Sequence, residues 1–146
     1  MNSYAALKNK HQKEHNAFPL GAAFNQKQFE EMMQKWGLTV NDTDKILRLG
    51  HTGCYIRKTD QQALHEMIER HEAEMKQAIA DDKTGNGFIY DMFIYELANH
   101  EYCITYDLEE TLDALNLTYE EIIADKRLSH GLNKAKKDYL KNSENY

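Results

Sequence analysis

Apolar residues recur along this chain as stripes with helical spacing, and one stretch departs from that pattern. Residues 88–101, FIYDMFIYELANHE, are apolar on every side when laid on a helix. Phe88, Ile89, Tyr90, Met92, Phe93, Ile94, Tyr95, Leu97 and Ala98 leave no solvent face, and a helix apolar all round is a buried one. At roughly 21 Å it is too short, and too closely flanked by acid, to cross a bilayer. It is expected to be the central helix, with the other segments packed around it.

Elsewhere the spacing is amphipathic. Phe29, Met32, Met33 and Trp36 recur at i, i+3, i+4 and i+7 and predict a helix, capped by Asn25 and ended by Gly37. Leu64, Met67, Ile68, His71, Met75 and Ala78 form one stripe of a long helix over 61–80, led by Asp60 as its cap. Gly85-Asn86-Gly87 breaks the chain before the central helix. Leu128, Leu132, Ala135 and Tyr139 predict a last helix over 127–141, and residues 142–146 are expected to fray. Residues 1–15 read as a loosely attached first helix, with only Tyr4, Ala5, Ala6 and Leu7 to bury.

The shorter elements follow from caps and turns. Asn41 or Asp42 heads a brief helix through Ile46 and Leu49, and residues 50–53 form a turn. Asp107 and Glu110 have capping-box spacing ahead of Leu108, Leu112 and Leu115. Thr118 and Glu121 make a fuller box, opening a turn through Ile122 and Ile123. Strands are expected at 18–24, with Pro19 at its edge, at 54–57 and at 102–106. The fold class is therefore α+β: a mostly helical single domain over 1–146, with a small sheet of three short strands around the buried central helix.

Composition adds limits. A chain of 146 residues can bury a sizeable core, and one proline with seven glycines suits helix. No signal-like leader and no spanning stretch is visible, so a cytoplasmic protein without a membrane partner is expected. Cys54 and Cys103 lack a partner motif and are expected as free thiols.

Charge changes the picture more. The net charge is −6, but no Lys or Arg lies between Lys83 and Lys126, an interval holding ten carboxylates. Asp107, Glu109, Glu110, Asp113, Glu120 and Glu121 are its candidate binding residues. They offer negative charge where phosphates would sit in a basic channel. The plainer alternative is a solvated face, with Asp107, Glu110, Glu120 and Glu121 serving helix N-termini.

Two histidine patterns bear on chemistry. His11, Glu14 and His15 match H-x-x-E-H, which on a helix puts two imidazoles one turn apart, although a catalytic zinc needs a third ligand. Glu96 and His100 stand at i, i+4 on the central helix as a buried polar pair. With His71, and with Cys103 nearby, they form a candidate acid–base or metal set; core hydrogen bonding is the alternative. Phosphate-binding glycine loops, a nucleophile elbow, zinc-finger cysteines and an EF-hand loop are all absent. No cofactor and no metal is expected.

Three phrases, AFNQKQFEEMMQKWGLTVNDTDKI, GCYIRKTD and YELANHEYCITYDLEETLDAL, carry a likeness. Together they resemble a family of small uncharacterised Firmicute proteins often carried on conjugative or phage-like elements. The likeness runs from about residue 18 to the last helix and transfers no catalytic or binding residue. It implies a setting in which small acidic proteins blunt host defence. The expected function is thus a binding protein of a mobile element, inhibiting a host nucleic-acid-processing enzyme through its acidic surface. The partner is a host protein or a second copy of this chain, with no direct nucleic-acid contact. A small enzyme built on Glu96, His100 and His71, and a homo-oligomeric structural module, are the alternatives.

Overall fold

The computed structural model describes residues 1–143; of the expected frayed tail, 144–146 lie outside the described residues. In chain order the elements are α1 (Ser3–Ala17), β1 (Gly21–Ala22), α2 (Gln26–Lys35), β2 (Ile46–Arg48), β3 (Cys54–Arg57) and α3 (Gln61–Asp81). They are followed by α4 (Phe88–Asn99), α5 (Tyr102–Thr105), α6 (Glu109–Ala114), α7 (Tyr119–Ala124) and α8 (Lys126–Ser143). The protein is mostly helical with a small antiparallel three-stranded sheet, the α+β class that the pattern predicts. It divides into two compact units, 1–12 with 73–146, and 13–72.

The first unit is built on α4. Ile89, Met92, Phe93 and Leu97 are sealed in its core, where Leu112, Ile122, Leu128 and Leu132 meet them. Helix α8 crosses α4 closely because residue 131 is glycine. A Cβ there would stand 2.6 Å from Ile89 Cγ2 and 2.8 Å from the Gly85 carbonyl oxygen. The all-round burial expected of the central helix holds only in part. Tyr95, Ala98 and Asn99 are exposed.

Asp82 sets the entry to α4. Its carboxylate accepts from the backbone N–H groups of Thr84, Gly85, Gly87 and Ile89, at 2.9–3.1 Å. One side chain thus satisfies amides that a helix start otherwise leaves orphaned. Arg127 closes the other side of the turn, donating to the carbonyls of Ile79 at 3.0 Å and Asp82 at 2.7 Å.

The second unit holds the sheet, in the order β1-β3-β2. Met32 and Met33 of α2 pack with Ala23 and Ile46 over it. Asn25 caps α2 by accepting from Gln28 N at 2.8 Å, as predicted, and Gly37 follows with φ +70°. Ile46 does not continue a helix. A 3-10 turn over Thr43–Lys45 gives way to strand β2, because Ile46, Leu47 and Arg48 pair with β3. Asp60 stands at the end of a 3-10 turn, Lys58–Asp60, and its carboxylate accepts from Arg57 Nε at 2.9 Å.

Residues 102–106 do not form a strand. Tyr102–Thr105 is a single helical turn bracketed by Glu101 (φ 52°) and Tyr106 (φ 55°), both left-handed. The sheet has three strands as expected, with β2 as a member in place of this segment. Helix α8 runs two residues beyond the expected end, through Asn142 and Ser143.

Candidate functional site

The stretch 101–123 carries the expected acidic residues and an unexpected set of apolar ones. Ile104 is 71% exposed, Tyr106 67%, Tyr119 55% and Ile123 65%. Two left-handed residues, Glu101 and Tyr106, bracket α5. Such a backbone is costly without glycine and is found where surrounding structure or function sustains it. On α7, Ile122 is buried while Ile123 is exposed.

All six candidate carboxylate residues are exposed. Their local duties differ. Asp107 Oδ1 accepts from Glu109 N at 2.9 Å, and its own N–H donates to Thr105 Oγ1 at 3.1 Å. The Asp107–Glu110 box is therefore not made: Leu108 stands at the N-cap, and Glu110 Oε2 lies 3.5 Å from His100 Nδ1. Glu121 does form the box with Thr118, both reciprocal bonds being present. Glu109, Asp113 and Glu120 make no side-chain hydrogen bond or ion pair among the described residues. No Lys or Arg of their own interval stands by to neutralise them.

Glu96 is 1% exposed and held in a closed network. It accepts from Tyr4 Oη at 2.6 Å, from Lys8 Nζ at 3.1 Å and from Asn99 Nδ2 at 3.4 Å. Burial pushes its carboxyl up, but these donors outweigh burial and hold it below the usual carboxylate range. Burial and the Glu96 bond together push the Tyr4 phenol far up. His100 Nε2 comes within 3.2 Å of Glu96 Oε2, but poorly aligned, and makes no hydrogen bond. The pair is close in space, and an ion pair when the imidazole is protonated.

His71 and Cys103 have partners of their own. His71 bonds Glu14 through Nε2, beside Arg70, whose Nη2 donates to the same oxygen at 2.6 Å. Arg70 first, then His71, holds the Glu14 carboxyl down to about 2. Cys103 Sγ accepts from Tyr139 Oη at 3.3 Å. The H-x-x-E-H residues are spent separately. His11 Nε2 lies 2.8 Å from Glu74 Oε2, and the His15 ring meets the His71 ring edge-on at 5.2 Å. Among the described residues no group of three or more His, Cys, Asp or Glu is placed to hold a metal ion. Where four apolar residues were expected to hold α1, these polar bonds tie it as well.

Sequence reasoning missed Ile104, Tyr106, Tyr119 and Ile123 as surface features. The available signal was the apolar excess of 102–123: more large side chains than short turns can bury. The sequence placed Ile104 and Tyr106 in a strand, and Tyr119 and Ile123 in a capped helical turn.

The chain belongs to a family of unknown function, DUF7659, whose model matches residues 3–138. No curated protein and no solved structure matches it. Among the described residues, no helix is long and apolar enough to cross a membrane.

Proposed function

We propose that this chain is a binding protein that docks a basic protein surface through residues 101–123. The observation that carries the reading is the mixture on that stretch: exposed Ile104, Tyr106, Tyr119 and Ile123 among exposed carboxylates, of which Glu109, Asp113 and Glu120 have no internal duty. Large apolar side chains ringed by polar groups are the anatomy of an interface. The single sign of the charge selects a partner of opposite sign and steers its approach. A nucleic-acid channel is such a surface, because carboxylates occupy the places of phosphates. The finer proposal is a cytoplasmic inhibitor of a host nucleic-acid-processing defence enzyme, carried on a mobile element. Acid–base use of Glu96 and His100 is less well supported, since Tyr4 and Lys8 close Glu96 from solvent.

Capture from a host lysate, with partners identified by mass spectrometry, tests this. The chain should retain a protein with a basic nucleic-acid groove, and a variant carrying Glu109→Gln, Asp113→Asn and Glu120→Gln should lose it. Displacement of labelled duplex DNA from the captured partner should fail with the same variant. Capture unaffected by these changes, or by Ile104→Ala with Tyr106→Ala, overturns the reading. Light scattering reads the alternative, a second copy on the same surface.

A further inference from the structure

A cavity of about 480 Å³ opens in the 13–72 unit, beside the start of α2 and the turn between β2 and β3. It is lined by three aromatic rings, Phe24, Phe29 and Tyr55, and two basic side chains, Arg48 and His51. No carboxylate lines it, in a chain with 24 acidic residues. Arg48 stands opposite Tyr55 in the strand register and makes no ion pair among the described residues.

The walls are built, not incidental. The Phe29 and Tyr55 rings meet edge-on at 5.8 Å, which fixes the orientation of the Tyr55 face. Phe24 lies against Gly53, where a Cβ would come 2.4 Å from its ring and where φ is +75°. Only glycine permits both that backbone and that contact. The ring so held is nevertheless 75% exposed, a large apolar face left to solvent beside the cavity. The turn behind it is tied by Thr52 Oγ1 donating to the Leu49 carbonyl at 2.7 Å, and Ala23 N donating to the Gly53 carbonyl at 2.9 Å.

We propose that this cavity binds a nucleoside monophosphate. The planar base stacks on the Phe24 and Tyr55 rings, and the phosphate pairs with Arg48 and accepts a hydrogen bond from the His51 ring. Aromatic faces accept any base because each has a π-face, and a guanidinium matches a phosphate in charge and geometry. The volume is that of a small-ligand site. The proposal rests on the 13–72 unit alone and is independent of the reading of 101–123.

Titration of the full chain with adenosine monophosphate, followed by amide NMR shifts, tests it. Shifts should cluster at residues 23–29 and 48–55. Adenosine, and inorganic phosphate alone, should each bind about tenfold more weakly. Arg48→Gln and Phe24→Ala should each lose about tenfold in affinity with unchanged thermal melting, and Arg48→Lys should fall between Arg48→Gln and the unaltered chain. A short oligoadenylate binding more tightly than the mononucleotide would support the same chemistry and locate its source at a strand end. Equal binding of adenosine and its monophosphate, equal affinity of Arg48→Gln, or shifts lying outside these segments would overturn it.

Discussion

Glu96 keeps its charge inside the protein, and its neighbours show how. A buried carboxylate is tolerated only when donors replace water, and Tyr4, Lys8 and Asn99 supply them. Tyr4→Phe removes the shortest of these bonds while keeping the ring's edge contacts with Phe88 and Tyr95. It should cost about 1–3 kcal/mol in urea unfolding, the range for a buried polar group left short of a partner. No loss would show that water takes the place of the phenol. The Glu96 carboxyl, held below its unfolded value of 4.5, stabilises the fold above that pH, and the contribution drains away as pH falls toward the folded value. Glu96→Gln should therefore flatten the acid limb of a stability–pH curve. Tyr90 acts at the other end. Burial and its bond to Asp138 push its phenol up to about 12, so stability is lost as pH rises from 10 toward that value. Tyr90→Phe should make that alkaline loss shallower, as read by thermal melting across the range.

Helices in this chain depend on single side chains at their ends. Asp82 binds four backbone amides across the entry to α4. Asp82→Ala should cost more than Thr118→Ala, which removes only the α7 box at about 1 kcal/mol. Parallel denaturant curves of the two variants check the ranking. Gly131 sits inside α8, where alanine normally favours helix by about 1 kcal/mol. Here Gly131→Ala should destabilise instead, since the added methyl meets Ile89 and the Gly85 carbonyl at under 3.0 Å. A stabilised variant would mean that α8 can move away from α4 without cost. The capping box at Thr118 was legible because both of its bonds are local in sequence. The Asp82 turn was not, because a side chain that binds amides up to seven residues later has no fixed spacing to recognise.

Across the whole molecule, protection should follow the packing of each unit. Amides of 89–97, in a helix sealed against α8, should exchange slowest, while those of 101–106 should exchange among the fastest of the helical residues. Hydrogen exchange by NMR or mass spectrometry checks this, and slow exchange at 101–106 would argue that something covers Ile104 and Tyr106. Of the candidate surface, the acidic half was legible from charge alone. The apolar half was hidden by ambiguity: YCITY is rich in the aromatic and β-branched residues that favour strands, and nothing local says that left-handed residues at 101 and 106 will turn it into one helical turn.

Local pattern was enough for the α+β class, the long helices, the caps at Asn25 and Thr118, and the burial of Ile89, Phe93 and Leu97. Each follows from spacing or from chemistry within one turn of the chain. Packing settled that Ile46 joins a strand, that Tyr95 stays outside, that His71 bonds Glu14, and that Phe24, Phe29, Tyr55 and Arg48 line one cavity. Those outcomes depend on which surfaces meet across distant parts of the chain. A periodic pattern says that a face must be covered, and not by what.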